Sequence, residues 1–314
     1  MADLPIVTLP ERSLIEALSQ GADGVELRYW DVAGEPDFAG VERIHLVVLP
    51  YLNPPQALAR LAQMPAVRAV QTLTAGYDGL IEQLPDGVAL CNAAGVHDAS
   101  TAELAVGLML AGQRGIGDAA REQVAGEWNH ITRPSLADRR VLVVGVGGVG
   151  TAIAARLEPF EVTITRVGTR ARADDLSGRF GDVHGIDELP ALLPDHDIVA
   201  LAVPLSASTR GLFGAELLAA MADDALLVSV ARGPVVDTDA LTAEVGSGRL
   251  RAAVDVIDPE PFPADHPLRL MPGFLMTPHV GGDTDAFVPR AERMLAAQVA
   301  RVAAGEPLAN IVHP

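Results

Sequence analysis

The sequence contains no lysine; all 23 of its Lys and Arg positions are arginine. Chemistries that require a lysine amine are therefore excluded: Schiff-base aldolases, pyridoxal-phosphate enzymes and Walker-type phosphate loops. A single cysteine, Cys91, leaves no intrachain disulfide and no thiolate metal cluster, which fits a reducing compartment. With no base beside it in the sequence, Cys91 reads as a residue packed in or next to a strand. Positive charge is scarce: 41 acidic side chains give a formal net charge of -18. No basic patch is concentrated anywhere, so nucleic acid and anionic membranes are not expected partners. A small anion held by a few local arginines stays open. No uninterrupted apolar run reaches the roughly 18 residues of a membrane span. The tract MADLPIVTLP lacks a basic region followed by a long apolar stretch, so no signal peptide is expected and the cytoplasm is the expected location. No histidine pair or carboxylate cluster has ligand spacing, and no metal is expected.

With 314 residues, 49% of them hydrophobic, the chain suits two domains sharing a cleft better than one core. LPIVTL, VELRYW, IHLVVLPYL, VRAVQTL and VALCN read as strands, with QALARLAQM helical between them, which implies parallel βα units. From Thr101 the tract TAELAVGLMLAGQRGI reads as a long apolar helix, with Ser100 as N-cap and Glu103 completing a capping box. The domain crossing is placed there. Six further strands follow, RRVLVVG, VTITRV, DIVALAVP, ALLVSVA, RAAVDVI and GFLMTP, with helices starting near Val149, Asp187, Gly214 and Asp237. That rhythm suits a doubly wound α/β sheet. A terminal helix, 285–304, is expected to return to the first domain. The expected division is therefore 1–99 plus 286–314 for a substrate domain and 100–285 for a dinucleotide-binding domain. The proline-rich segment 258–272 lies where a cleft edge is expected.

Gly145, Gly147 and Gly150 form GxGxxG directly after an apolar strand and at the start of a helical stretch. The first glycine allows a tight turn, the second lets backbone approach a pyrophosphate, and the third lets helix pack on strand. Gly148 and Val149 belong to the same turn. NAD sites place an acid about 20 residues further on, at the end of the next strand. Here Gly168 occupies that place, followed by Thr169, Arg170 and Arg172. Loss of the carboxylate removes repulsion toward a 2'-phosphate, and the guanidinium groups offer it bidentate partners. NADP(H) is expected over NAD(H), with a solvated arginine cluster as the bland alternative.

Together the tracts TAGYDG, NAAGV, TAE, GxGxxG, AVPLSAST, VARGPVVD, DVIDPEP, TPHVGG and GEPLANIV resemble the D-isomer-specific 2-hydroxyacid dehydrogenase family over nearly the whole chain. The resemblance implies two Rossmann-like or flavodoxin-like domains with parallel sheets and an active-site cleft between them. It assigns a catalytic arginine, glutamate and histidine to Arg232, Glu260 and His279. The chemistry suits these types: a guanidinium clamps the carboxylate of a 2-oxo acid and polarises the neighbouring carbonyl. An imidazolium gives the developing alkoxide its proton, and a nearby carboxylate favours that form and fixes the ring. Asp258 competes with Glu260, and the register of the matched tract selects Glu260. His97 and His266 read as loop or rim residues.

By the same resemblance the backbone of Thr74, Ala75 and Gly76 binds the substrate carboxylate opposite Arg232. Asp255 accepts a hydrogen bond from the nicotinamide carboxamide, or else is a buried acid with structural partners. Thr101, Pro204, Val230, Ala231 and Gly281 complete the cofactor site. Tyr77 departs from the family's small aliphatic residue, and the substrate pocket is expected around Tyr51, Leu52 and Tyr77. Glu161 replaces a glycine before the second strand, with little consequence expected. The implied activity is reduction of a small 2-oxo acid, glyoxylate or hydroxypyruvate, to its D-2-hydroxy acid, by a homodimer that uses the long helix from Thr101. Glu260 argues against a formate dehydrogenase; a phosphite dehydrogenase and a dinucleotide-sensing corepressor are the remaining alternatives.

Overall fold

A computed structural model describes residues 4–51, 58–173 and 180–314. Leu52, named above for the substrate pocket, lies outside these residues, as do Gln56 and Ala57 of the expected helical tract. Two compact units divide the chain: Met1–His97 with Asp285–Pro314, and Asp98–Thr284.

In the first unit β1 (Ile6–Leu9), β2 (Glu26–Tyr29), β3 (Ile44–Val48), β4 (Ala69–Gln71) and β5 (Ala89–Cys91) form a parallel sheet in the order β5-β4-β3-β1-β2. The sequence anticipates all five. It does not anticipate Ile311–His313, which adds antiparallel to β5. That strand is held by Gln298, which is buried in the C-terminal helix Phe287–Ala304. The side chain of Gln298 donates to the carbonyl of Ala309 at 3.0 Å, accepts from the Ala309 amide at 3.0 Å, and donates to Gln71 at 2.7 Å. The helix buries Ala291, Leu295 and Val299 on one face of the sheet together with α1 (Arg12–Leu18), while Leu58, Leu61, Met64 and Trp30 cover the other. Cys91 is buried at the end of β5, and burial pushes its thiol up to about 11.

The second unit begins with α2 (Asp98–Arg114), three residues before the expected start. Ser100 is therefore inside the helix, where its hydroxyl meets that of Thr284 at 2.9 Å, and the expected capping box does not form. The turn at Gly95 (φ 88°) ends early enough for helix to start at Asp98. Gly115 (φ 61°) then breaks the expected run and starts α3 (Ile116–Ala125). α2 buries Ala102, Ala105, Val106, Leu108 and Met109 in its own unit's core, so it is not a spare apolar surface. Large exposed apolar side chains instead follow the break, at Ile116, Val124, Ile131 and Trp128, the last 95% exposed.

β6 (Arg140–Val144), α4 (Gly148–Leu157), β7 (Thr163–Gly168), β8 (Val183–Gly185), α5 (Leu189–Leu192), β9 (Ile198–Leu201), α6 (Ala215–Ala220), β10 (Leu226–Ser229), α7 (Thr238–Gly246), β11 (Arg251–Val254) and β12 (Phe274–Met276) complete it. The seven strands are parallel, in the order β12-β11-β10-β9-β6-β7-β8. The sequence reading has six; β8, three residues long at the sheet edge, gives too short a pattern to read. Central strands such as β9, and β6 from Val141 onward, are buried on both faces and hence apolar, as parallel sheets require. Glu161 adopts φ 59° before β7, a left-handed conformation that costs a non-glycine residue on the order of 1 kcal/mol, more than the small consequence expected at this position.

Candidate active site

The order of strands reverses between β6 and β9, and an open parallel sheet binds ligands outside the carboxyl ends of its strands at such a point. Apart from Thr101, which lies in α2, the sequence-predicted residues of this unit lie in segments that follow the carboxyl ends of strands. Gly145 to Gly150 follow β6, Thr169 to Arg172 follow β7, Pro204 follows β9, Val230 to Arg232 follow β10, Asp255 follows β11 and His279 follows β12. Parallel alignment therefore gathers segments that are far apart in sequence.

Each glycine of the loop has a distinct necessity. Gly145 has φ 112°, and a Cβ there would lie 2.5 Å from the Ala202 carbonyl oxygen. At Gly150 a Cβ would lie 1.8 Å from the Gly145 carbonyl oxygen, so this glycine lets α4 sit against the loop. Gly147 is exposed and faces open space, with no atom within 4 Å of a Cβ position, which suits an approaching phosphate. Gly148 packs against the Asp98 carboxylate, and Val149 is half-buried against the core under α2. Gly168 is crowded by Val146, Val183 and the Arg172 guanidinium, while Thr169, Arg170 and Arg172 are exposed. Backbone bonds of 2.9 Å in both directions tie Arg172 to Val183. A dinucleotide pyrophosphate fits the glycine loop, and the cationic edge beyond β7 fits a phosphorylated ribose.

Arg232 leaves β10 in an extended conformation, is half-buried, and donates to the Ala231 carbonyl at 2.8 Å. Next to it Gly233 passes so close to the Ile257 carbonyl that a Cβ would lie 2.2 Å from that oxygen. The Thr238 hydroxyl donates to the Asp258 carbonyl at 2.7 Å. These two contacts bring the arginine segment to the segment carrying Glu260. Glu260 Oε1 accepts from the Ile257 amide at 3.1 Å, and Oε2 accepts from His279 Nδ1 at 2.7 Å. Asp258, the sequence competitor, makes no such contact; its side chain is exposed.

His279 has φ 55°, and its amide donates to the Asp255 carbonyl at 2.8 Å. The histidine turn is built on Asp255, which is 4% exposed. Asp255 Oδ1 accepts from the Thr277 hydroxyl at 2.6 Å and the Val280 amide at 2.9 Å, and Oδ2 accepts from the Gly281 amide at 2.8 Å. This buried acid thus anchors the loop that carries His279, and Thr277, to which the sequence assigns no role, is part of the anchor. Thr101 lies beside Gly281, where a Cβ would be 3.3 Å from its methyl. The Pro204 carbonyl accepts from Thr209 at 2.6 Å, and Val230 and Ala231 are buried. A cavity of about 460 Å³ is lined by Glu260, His279, Ile257, Phe262, Arg269 and Met276 among others. His266 lies in the 258–272 loop, tilted against Phe262 at 4.5 Å.

In the first unit Thr74, Ala75 and Gly76 follow β4 as a turn of half-buried residues. His97 is not a rim residue: it is buried and packs on Tyr51 and Phe287. Among the described residues no group of histidine, cysteine, aspartate and glutamate could hold a metal ion, and no helix is long and apolar enough to cross a membrane.

Residues 106–281 match the family model for the NAD binding domain of D-isomer specific 2-hydroxyacid dehydrogenases. Glyoxylate/hydroxypyruvate reductase B of Salmonella newport (strain SL254) is 34% identical over 234 residues, 72% of each chain. A D-isomer specific 2-hydroxyacid dehydrogenase from Xanthobacter autotrophicus Py2, solved in complex with NADPH and MES, superposes with a TM-score of 0.84 at 30% identity, covering 100% of this chain and 99% of that one. The apo D-mandelate dehydrogenase of Rhodotorula graminis shares the fold, with a TM-score of 0.84 at 24% identity over 99% of this chain and 98% of the other.

Proposed function

The chain belongs to the D-isomer specific 2-hydroxyacid dehydrogenase family, and on that premise we propose that it reduces glyoxylate or hydroxypyruvate to the D-2-hydroxy acid with NADPH. It is an NAD(P)-dependent oxidoreductase of small 2-oxo acids. The observation that carries the reading is the Glu260–His279 contact of 2.7 Å on the carboxyl edge that also bears Arg232. A nicotinamide held at the carboxyl edge would supply the hydride. Arg232 clamps the carboxylate of the oxo acid and polarises the adjacent carbonyl. Glu260 holds the Nδ1–H of His279, which leaves Nε2 to give its proton to the alkoxide and to take it back in the oxidative direction. Thr74, Ala75 and Gly76 receive the substrate carboxylate through their amides, and Asp255 holds the histidine loop.

Preference for NADPH is supported by Gly168 and by the exposed Arg170 and Arg172, and by the NADPH bound to the Xanthobacter relative. A homodimer is part of the proposal. Its support is the exposed apolar set Ile116, Val124, Trp128 and Ile131 rather than α2. A cytoplasmic location agrees with a single buried thiol. Steady-state oxidation of NADPH, followed with a panel of 2-oxo acids, tests the activity: turnover of glyoxylate or hydroxypyruvate is expected. Turnover of phosphite with no 2-oxo acid accepted would overturn the substrate class. Sedimentation giving a monomer at micromolar concentration would overturn the dimer.

A further inference from the structure

Four consecutive carbonyls of the turn after β4 each accept a hydrogen bond. The Leu73 carbonyl accepts from His97 Nε2 at 2.8 Å. The Thr74 carbonyl accepts from the Ala93 amide at 3.0 Å and the Thr72 hydroxyl at 2.7 Å. The Ala75 carbonyl accepts from Asn92 Nδ2 at 2.7 Å, and the Gly76 carbonyl from the Thr74 hydroxyl at 2.7 Å. In a planar trans peptide the C=O of one residue and the N–H of the next point in opposite directions. Four consecutive carbonyls turned toward donors therefore turn the amides of Thr74, Ala75, Gly76 and Tyr77 away from them. Successive amides presented in this way form an anion-receiving surface.

The side-chain donors from outside the turn, Asn92 and His97, belong to one short segment following β5. His97 is the more constrained. It is 7% exposed, and a carbonyl can only accept, so its Nε2 carries the proton. Its ring packs nearly parallel to Phe287 (5.3 Å, 12°) and Tyr51 (5.9 Å, 17°), which also stack on each other at 4.3 Å. Two aromatic rings from distant parts of the unit thus fix the imidazole plane, and the imidazole fixes the first carbonyl of the turn. A residue serving merely as filler would need no polar atom at this position.

We propose that His97 is a positioning residue for substrate: by holding the Leu73 carbonyl it sets the amides of Thr74 to Tyr77 to receive the carboxylate of the 2-oxo acid. This rests on the assignment of that turn to the substrate under the proposed function. His97→Phe keeps a stacking ring and removes the donor, whereas His97→Gln keeps a donor near the Nε2 position. For His97→Phe the KM for glyoxylate rises about tenfold, the worth of one hydrogen bond in orientation, while kcat and the KM for NADPH stay within about twofold. His97→Gln returns the glyoxylate KM to within about threefold of the native value. An unchanged KM in folded His97→Phe, or a shift shared equally by glyoxylate and NADPH, overturns the proposal and leaves the activity standing. Absence of 2-oxo acid turnover by the native protein overturns both. Should His97→Phe fail to fold, the native protein decides: with NADP⁺ bound, oxalate is expected to shift the ¹⁵N resonance of His97 Nε2, and an unmoved resonance at saturating oxalate overturns the proposal.

Discussion

Substituting Gly168 by aspartate should convert the cofactor preference, and the structure sets the size of the effect. A Cβ at this position would meet Val146 Cγ2 at 2.9 Å, Val183 Cγ1 at 3.1 Å and Arg172 Nη1 at 3.1 Å. All three are side-chain ends, so shifts of a few tenths of an ångström admit the new side chain at roughly 1 kcal/mol. The carboxylate then does two things. It stands near a 2'-phosphate of charge about −2, and at about 5 Å in water-like surroundings this repulsion is about 1.7 kcal/mol, or roughly twentyfold in affinity. The water-like value applies because Thr169 and Arg170 are exposed. It also accepts from the ribose hydroxyls of NADH, worth about 1.5 kcal/mol or roughly tenfold. The product is a shift of about two-hundredfold in the ratio of kcat/KM for NADPH over NADH. The assay is steady-state reduction of glyoxylate with each cofactor, alongside circular dichroism to verify folding. A folded variant whose ratio stays within about threefold of native would refute the assignment of the β7 edge to the 2'-phosphate.

Glu260→Gln should lower kcat/KM for the oxo acid by about a hundredfold, since the orienting charge on the imidazole is lost. Its stability should change by less than about 1 kcal/mol, because the His279 and Glu260 side chains are 47% and 38% exposed; a urea titration and the same kinetic assay separate the two effects. Gly150→Ala forces backbone against backbone, with a Cβ 1.8 Å from the Gly145 carbonyl oxygen, and should cost about 3 kcal/mol in urea unfolding and abolish quenching or enhancement of NADPH fluorescence; full retention of both would refute the tight helix–loop contact. His196 is buried and neutral: burial lowers its pKa below the usual histidine range, opposed in part by the Leu192 carbonyl. The unfolded chain therefore takes up a proton near pH 6.5 that the folded chain refuses. Stability is complete above that pH and falls as pH drops below it. In His196→Gln the loss of stability between pH 7.5 and 5.5 should be smaller than in the native protein, and an identical slope would remove His196 as a cause.

Much of this protein is determined locally. Largely apolar runs as long as a strand, buried on both faces, mark central strands such as β1, β9 and β10, while the edge strand β2 is polar at alternate positions and only partly buried. The glycine loop is legible because Gly145 and Gly150 have no room for a side chain and Gly147 leaves its backbone open to a ligand, a constraint written at fixed spacing. Short edge elements escape such reading: Val183–Gly185 and Ile311–His313 have three residues each, and the second depends on Gln298 and Ala309. The start of α2 is not legible locally, because Ser100 has the chemistry of a cap while the helix already begins at Asp98 after the turn at Gly95. The same applies to the site. Sequence names Arg232, Glu260 and His279 by their tracts, yet that Glu260 rather than Asp258 reaches the imidazole follows from Gly233 and Thr238 bracing the segment in space. His97 reads as an unremarkable loop histidine until Tyr51 and Phe287, far from it along the chain, are stacked against its ring. Residue type and spacing determine what chemistry is present; which groups touch depends on long-range packing, which a one-dimensional pattern does not carry.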